Sequence, residues 1–211
     1  MTARARARRG RLVALEGIDG AGKSTLSRAL ARALRREGRT VTLRHEPTDP
    51  RLGSLAQSVS REDAWTGAVY FTVDRYMARP ALERSLRRYD VVVTDRSFYS
   101  TLAYQGSLLS PRDQRRLRDL ERTATREPDR VILLEIDPAA AMHRLGGRRK
   151  DRGPLEERRT LERVARAYRT LARDRRWIVL DARSSVAELV AQSLAHLGAV
   201  PRRRGAPARR R

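Results

Sequence analysis

The 211-residue chain contains no cysteine. This absence excludes a disulfide framework, a thiolate metal site and a cysteine nucleophile, and it suits a reducing cytosol. No apolar run approaches the length of a membrane span, and no signal-type apolar stretch follows the Arg/Ala-rich start. A soluble cytoplasmic protein without membrane association is therefore expected. Lysine is almost missing too: of 47 basic residues only Lys23 and Lys150 are lysines. That arginine bias fits codon composition, and it makes each retained lysine informative. Acidic residues are absent from both ends. Residues 1–11 hold five arginines and residues 201–211 hold six, so the ends carry 11 of the net charge of +22. Both ends are poor in large apolar residues and read as disordered basic arms able to bind polyanions nonspecifically, in a salt-dependent way.

Between the arms, 12–200 reads as one domain, long enough for a full core. Its most informative stretch is Leu12 to Thr25. An apolar run suited to a buried strand leads into Gly17-Ile18-Asp19-Gly20-Ala21-Gly22-Lys23-Ser24, and a helical segment over 25–36 follows. In that order, strand, loop and helix wrap a nucleotide polyphosphate. The glycines let backbone N–H groups approach phosphate oxygens, and the helix N-terminus adds its dipole. Lys23 would reach the β- and γ-phosphates, Ser24 would take one position on Mg²⁺, and residues 17–25 as a whole form the nucleotide cradle.

Further along, a strand is expected over 40–44, then a polar loop from His45 to Pro50, a short helix over 52–60, and a helical stretch over 65–89 interrupted or kinked near Pro80. On that stretch Val69, Val73, Met77, Leu82 and Leu86 are the expected inward positions. Three valines at 91–93 predict a buried strand ending at Asp95, an acid at the sheet edge of the P-loop and suited to Mg²⁺. Helices over 97–105 and 111–126, a strand over 130–136, a helix over 138–145, a helix beginning near Leu155, a strand over 177–180 and a helix over 184–197 complete the chain. Five apolar strands alternating with helices predict an α/β fold, a doubly wound five-stranded parallel sheet with helices on both faces. Residues 146–154 are polar, cationic and bounded by glycines, the composition of a short lid.

A P-loop alone spans many activities. The two lysines exclude a guanine-reading Asn-Lys-x-Asp stretch. The late cationic lid and the aromatics and arginines near strand ends favour phosphoryl transfer between two nucleotides, on a P-loop fold of nucleoside monophosphate kinase type.

Glu16 to Thr25, His45-Glu46-Pro47, Phe71-Thr72-Val73-Asp74-Arg75 and Asp95 to Gly106 together resemble the thymidylate kinase family over about 12–182. The resemblance implies transfer of the ATP γ-phosphoryl group to dTMP, with Mg²⁺, in a homodimer. It implies that Phe71 stacks on thymine, Arg75 hydrogen-bonds the base, Arg96 grips the dTMP phosphate and Tyr104 lies under the deoxyribose. Ser100, Thr101 and Gln105 fall near the base, and Asp19 and Glu46 near the acceptor sugar and phosphate. Asp95 and Ser24 would serve the metal. No basic residue stands between Ile18 and Ala21, so the lid arginines Arg148 and Arg152 would join Lys23 in meeting transition-state charge. His45 stands where the family usually has arginine, and Ser97 where it commonly has tyrosine or histidine. Two alternatives accompany this reading: a related kinase acting on another nucleoside monophosphate or a deoxynucleoside, and a basic nucleic-acid-associated P-loop ATPase.

Overall fold

The computed structural model of the chain describes residues 9–146, 154–174 and 176–198. Five parallel strands, β1 (Arg11–Glu16), β2 (Val41–His45), β3 (Val91–Asp95), β4 (Arg130–Glu135) and β5 (Trp177–Asp181), form one sheet in the order β2-β3-β1-β4-β5. The helices are α1 (Lys23–Arg36), α2 (Pro50–Val59), α3 (Ala64–Arg88), α4 (Phe98–Tyr104), α5 (Pro111–Ala124), α6 (Pro138–Leu145), α7 (Pro154–Leu171) and α8 (Val186–Leu197). A single 3₁₀ turn at Gly106–Leu108 follows α4. The doubly wound α/β sheet expected from the alternation is the one observed.

Successive strand side chains point to opposite faces. Leu12 and Val92 pack with Leu82 and Leu86 of α3 in a small cluster, while Val13, Leu15, Val91 and Val93 join the main core with Leu26, Leu30 and Leu34 of α1. Reversal of chain order on the two sides of β1 opens a crevice at the carboxyl ends of β1 and β3, where ligands of such sheets bind. The register Leu15–Asp95–His45 brings the ends of β1, β3 and β2 to that edge.

Several boundaries differ from the sequence expectation. The folded domain starts before Leu12: Gly10 donates to the Leu86 carbonyl at 2.8 Å and Arg11 begins β1. Gly10 is required there, because a Cβ would stand 2.1 Å from the Tyr89 carbonyl oxygen. Helix α2 starts at Pro50, not at residue 52, since Asp49 caps it by accepting from the Arg51 and Leu52 N–H groups and proline suits the first helical position. Helix α3 runs as one element through Pro80. Its inward stripe is Ala68, Thr72, Arg75, Leu82 and Leu86, whereas Val73 and Met77 are 41% and 67% exposed. The first half of α3 turns polar groups inward because Thr72 and Arg75 meet Glu121 and Asp74 accepts from the Thr48 and Asp49 N–H groups, which leaves Val73 and Met77 on the outer face.

Candidate active site

The carboxyl end of β1 delivers residues 17–24 as a tight loop. Gly17 adopts φ 142° with the Leu134 carbonyl oxygen 2.6 Å from where a Cβ would stand, and Gly20 adopts φ 84° with the Ala141 carbonyl at 2.5 Å. Neither position admits a side chain. Ile18 and Ala21 are buried in the core, so they offer only backbone to a ligand. Gly22 precedes α1 in the left-handed conformation, and no side chain caps the helix. Its first N–H groups therefore face the cleft as an anion site. The Lys23 ammonium donates to the Gly17 and Ile18 carbonyls, both at 2.9 Å, and lies 3.9 Å from the Asp19 carboxylate. Burial, then the charge of Arg96, lowers the Lys23 pKa to about 8 against the opposing pull of Asp19 and Asp95. Lys23, Ser24, Thr25, His45, Asp95 and Leu145 help line this cleft of about 530 Å³. Ser24 Oγ donates to Asp95 across its floor.

Beside the cleft stands Arg96, the one non-glycine residue at positive φ, 74°, among the described residues. Holding a side-chain-bearing residue there costs about 1–3 kcal/mol and needs strong surrounding contacts. The Arg96 N–H donates to the Leu15 carbonyl at 3.0 Å, and Thr94 Oγ1 donates to the Arg96 carbonyl at 2.8 Å. Its guanidinium pairs with Asp19 through Nη2, donates to Ser100 Oγ at 3.1 Å through Nη1, and lies over the Tyr104 ring at 5.4 Å. Behind it sits the wholly buried Glu16. One of its oxygens accepts from the Ser97 N–H and hydroxyl, the other from the Ser100 and Tyr168 hydroxyls, all at 2.7 Å. Four donors satisfy the carboxylate and tie β1, α4 and α7 together at the root of the P-loop.

A second cavity of about 160 Å³ opens on the other side of Arg96 and includes Phe71, Arg75, Thr101, Tyr104, Gln105 and Thr160 in its wall. Gln105 Nε2 donates to Ser60 Oγ at 3.1 Å, closing the wall between α4 and α2. Tyr104 OH accepts from the Asp19 N–H at 3.1 Å. Arg75 is buried and held at all three nitrogens: Nε donates to Glu46 at 2.7 Å, Nη1 to Glu121 at 2.7 Å and Nη2 to the Ser97 carbonyl at 3.3 Å. Burial would lower its pKa, but Glu121 and Glu46 together outweigh it and raise it. Asp74, one position before, accepts from the Thr48 and Asp49 N–H groups at 2.8 and 2.7 Å and fixes the loop that carries Glu46. Asp19, Glu46 and Arg96 line both cavities. They stand where a group passing from one cavity to the other would move.

The thymidylate kinase family model matches residues 15–193. The chain belongs to the thymidylate kinase family. Relatives agree with that assignment. A probable thymidylate kinase of Sulfurisphaera tokodaii is 33% identical over 87% of this chain and 94% of its own length. One from Methanothermobacter thermautotrophicus is 40% identical over 68% of this chain and 73% of its own. A thymidylate kinase of Xanthomonas euvesicatoria is 37% identical over 77% and 72%.

With the thymidylate kinase frame in place, the sequence-predicted residues sort by position. Gly20, Gly22, Lys23, Ser24, Thr25 and Asp95 line the first cavity, Phe71, Arg75, Ser100, Thr101, Tyr104 and Gln105 the second, and Asp19, Glu46 and Arg96 both. Arg148 and Arg152, with most of the expected lid, lie outside the described residues. His45, which departs from the usual family residue, lines the first cavity, while Arg44 lines a separate small crevice. Ser97, the second departure, caps α4 and donates to Glu16. Sequence reasoning did not assign roles to Glu16, Asp74 or Glu121. Glu16 and Asp74 lay inside recognised motifs, where a charged residue in an apolar or helical run was the available signal. Glu121 lay in no motif.

Proposed function

We propose that the chain transfers the γ-phosphoryl group of ATP to dTMP, giving dTDP for dTTP synthesis in the cytoplasm. The observation that carries this reading is the pair of cavities meeting at Asp19, Glu46 and Arg96. In the first cavity the loop N–H groups and Lys23 hold the ATP phosphates. In the second, Phe71 stacks on thymine, Arg75 hydrogen-bonds its carbonyl edge, Thr101 and Gln105 border the base, and Tyr104 lies under the deoxyribose. The Ser100 hydroxyl is already used by Glu16 and Arg96, so it orients the arginine from the pocket wall. Arg96 presents the dTMP phosphate in line: its oxygen bonds to the γ-phosphorus as the bond to the β-bridging oxygen breaks. Transition-state charge falls to Lys23, with Arg148 and Arg152 as the donors the sequence supplies between α6 and α7.

The hydroxyl of Ser24 and the carboxylate of Asp95 meet at the cleft floor. Two hard oxygen donors beside a phosphate site fit Mg²⁺, which takes few protein ligands and completes its shell with phosphate and water. These two residues would hold it, and when bound it would neutralise charge on the β- and γ-phosphates.

The exposed stripe of Val73, Tyr76 and Met77 on α3, with Leu55 of the adjoining α2, supports a homodimer through this face. The full chain is expected to sediment as a dimer, and Met77→Glu to shift it to monomer. The basic arms are proposed to add only salt-sensitive attraction to polyanions.

A coupled ADP-release assay across dTMP, dUMP, dCMP, dGMP and thymidine tests the reaction. Fastest turnover is expected with dTMP, and no dTMP turnover at all would overturn the assignment.

A further inference from the structure

Glu121 lies on α5, outside every motif and outside the walls of both cavities, yet it is completely buried. Its Oε1 accepts from Arg75 Nη1 at 2.7 Å and from Thr72 Oγ1 at 3.1 Å, while its Oε2 has no hydrogen-bond partner. Burial and the nearby Glu46 push its carboxyl up to about 7 despite Arg75. A carboxylate so placed is a poor device for stability. A buried ion pair can usually be replaced by apolar groups of similar volume at no cost, and an unpartnered buried oxygen carries a desolvation penalty. What the arrangement does provide is a fixed guanidinium. Arg75 has five N–H bonds; Glu46 takes the one on Nε, Glu121 one on Nη1 and the Ser97 carbonyl one on Nη2. With both ends and the stem of the fork anchored, one N–H on each terminal nitrogen is left, and the rotation of the plane is set.

We infer that Glu121 is a positioning residue for base recognition: it acts through Arg75, holding the fork so that its remaining N–H groups meet a carbonyl-bearing pyrimidine and discriminate against one with an amino group at that edge. This rests on the reading of Arg75 given above. A site that presents fixed donors rejects a base offering a donor in the same place, because two N–H groups then face each other without an acceptor. Losing the anchor on Nη1 leaves the fork held only by Glu46 and the longer contact to the Ser97 carbonyl, and the discrimination falls while the phosphate machinery at Lys23 and Arg96 is untouched.

The experiment is Glu121→Gln in the full chain, with KM and kcat measured for dTMP, dCMP and ATP, together with the thermal midpoint. The expected result is a KM for dTMP raised about tenfold, a dTMP-over-dCMP ratio of kcat/KM lowered by a similar factor, and kcat and the KM for ATP changed by less than about threefold. A role confined to stability would move the melting midpoint and leave the dTMP KM and the dTMP-over-dCMP ratio alone, and that result overturns the inference. So does a rise in the dTMP and ATP KM values together. If the glutamine variant does not fold, Thr72→Val removes the second donor to Oε1 and is expected to raise the dTMP KM at least about twofold; an unchanged KM overturns the inference there. If the wild-type protein turns over no dTMP, the reading of Arg75 fails first, an outcome separable from a wild-type enzyme whose Glu121 variant is indifferent.

Discussion

Lys23→Ala is expected to lower kcat about a thousandfold with the fold retained, the scale lost when a preorganised charge facing a transferring phosphoryl group is removed. The lysine is fixed in place by the loop itself. Its ammonium donates to the Gly17 and Ile18 carbonyls at 2.9 Å, which fixes its reach over the loop without neutralising it. Stability should change little, because the residue removed is a buried charge whose own desolvation opposes folding. Burial, then Arg96, brings the pKa down to about 8, so the free enzyme loses this charge as pH rises through 8. Two consequences follow from that sign. The value of kcat/KM for ATP should bend downward above pH 8, while kcat stays level to higher pH because bound phosphates favour the ammonium. Between pH 8 and 10.5 the unfolded chain holds a proton that the native one has released, so this residue's penalty to folding is present below 8 and relieved across that window. Steady-state kinetics over pH 6.5–9.5, with circular dichroism on the variant, check both. Near-normal turnover by a folded Lys23→Ala protein would remove the lysine from the chemistry.

What was legible in the sequence was what local pattern encodes. The P-loop is contiguous, the valines at 91–93 form the buried strand expected of them, and Phe71, Arg75 and Thr101 to Gln105, which help line the second cavity, fall in short blocks. The contacts that hold these groups in place are not local. Glu121 meets Arg75 from 46 residues away and Ser97 meets Glu16 from 81; spacing puts Glu121 on the inward stripe of α5 with Leu117 and Ala124, but local pattern does not name the arginine it meets there. Periodicity misplaced Val73 and Met77 for a related reason. An apolar stripe is inward only where the helix faces core, and the first half of α3 faces buried polar partners and a cavity, which breaks the pattern. Beyond Pro80 the rule returns, with Leu82 and Leu86 packed inward against Leu12 and Val92 of the sheet.

Arg96→Ala is expected to lower kcat/KM for dTMP about a thousandfold, since two charge-assisted contacts to a phosphate at about 1.5–3 kcal/mol each are lost. Arg96→Lys keeps the charge and loses the fork, and about a hundredfold loss is expected because a point charge cannot hold a phosphate by two parallel bonds. The position argues for function over packing. A left-handed backbone at φ 74° on a residue with a long side chain is held by the Leu15 and Thr94 contacts, and its guanidinium is aimed at the junction of the two cavities instead of out to solvent. Removing it has a second effect that a simple loss of affinity would not produce. Arg96 is the largest charge depressing Lys23, and its departure also removes the cation that competes for Asp19, whose carboxylate stands 3.9 Å from the ammonium. The bend in kcat/KM for ATP should therefore move above pH 8 in Arg96→Ala and stay near 8 in Arg96→Lys, where the cation is kept. A bend unmoved by the alanine substitution would mean that the two cations are not coupled through Asp19, and that donor and acceptor sites are independent where the geometry joins them.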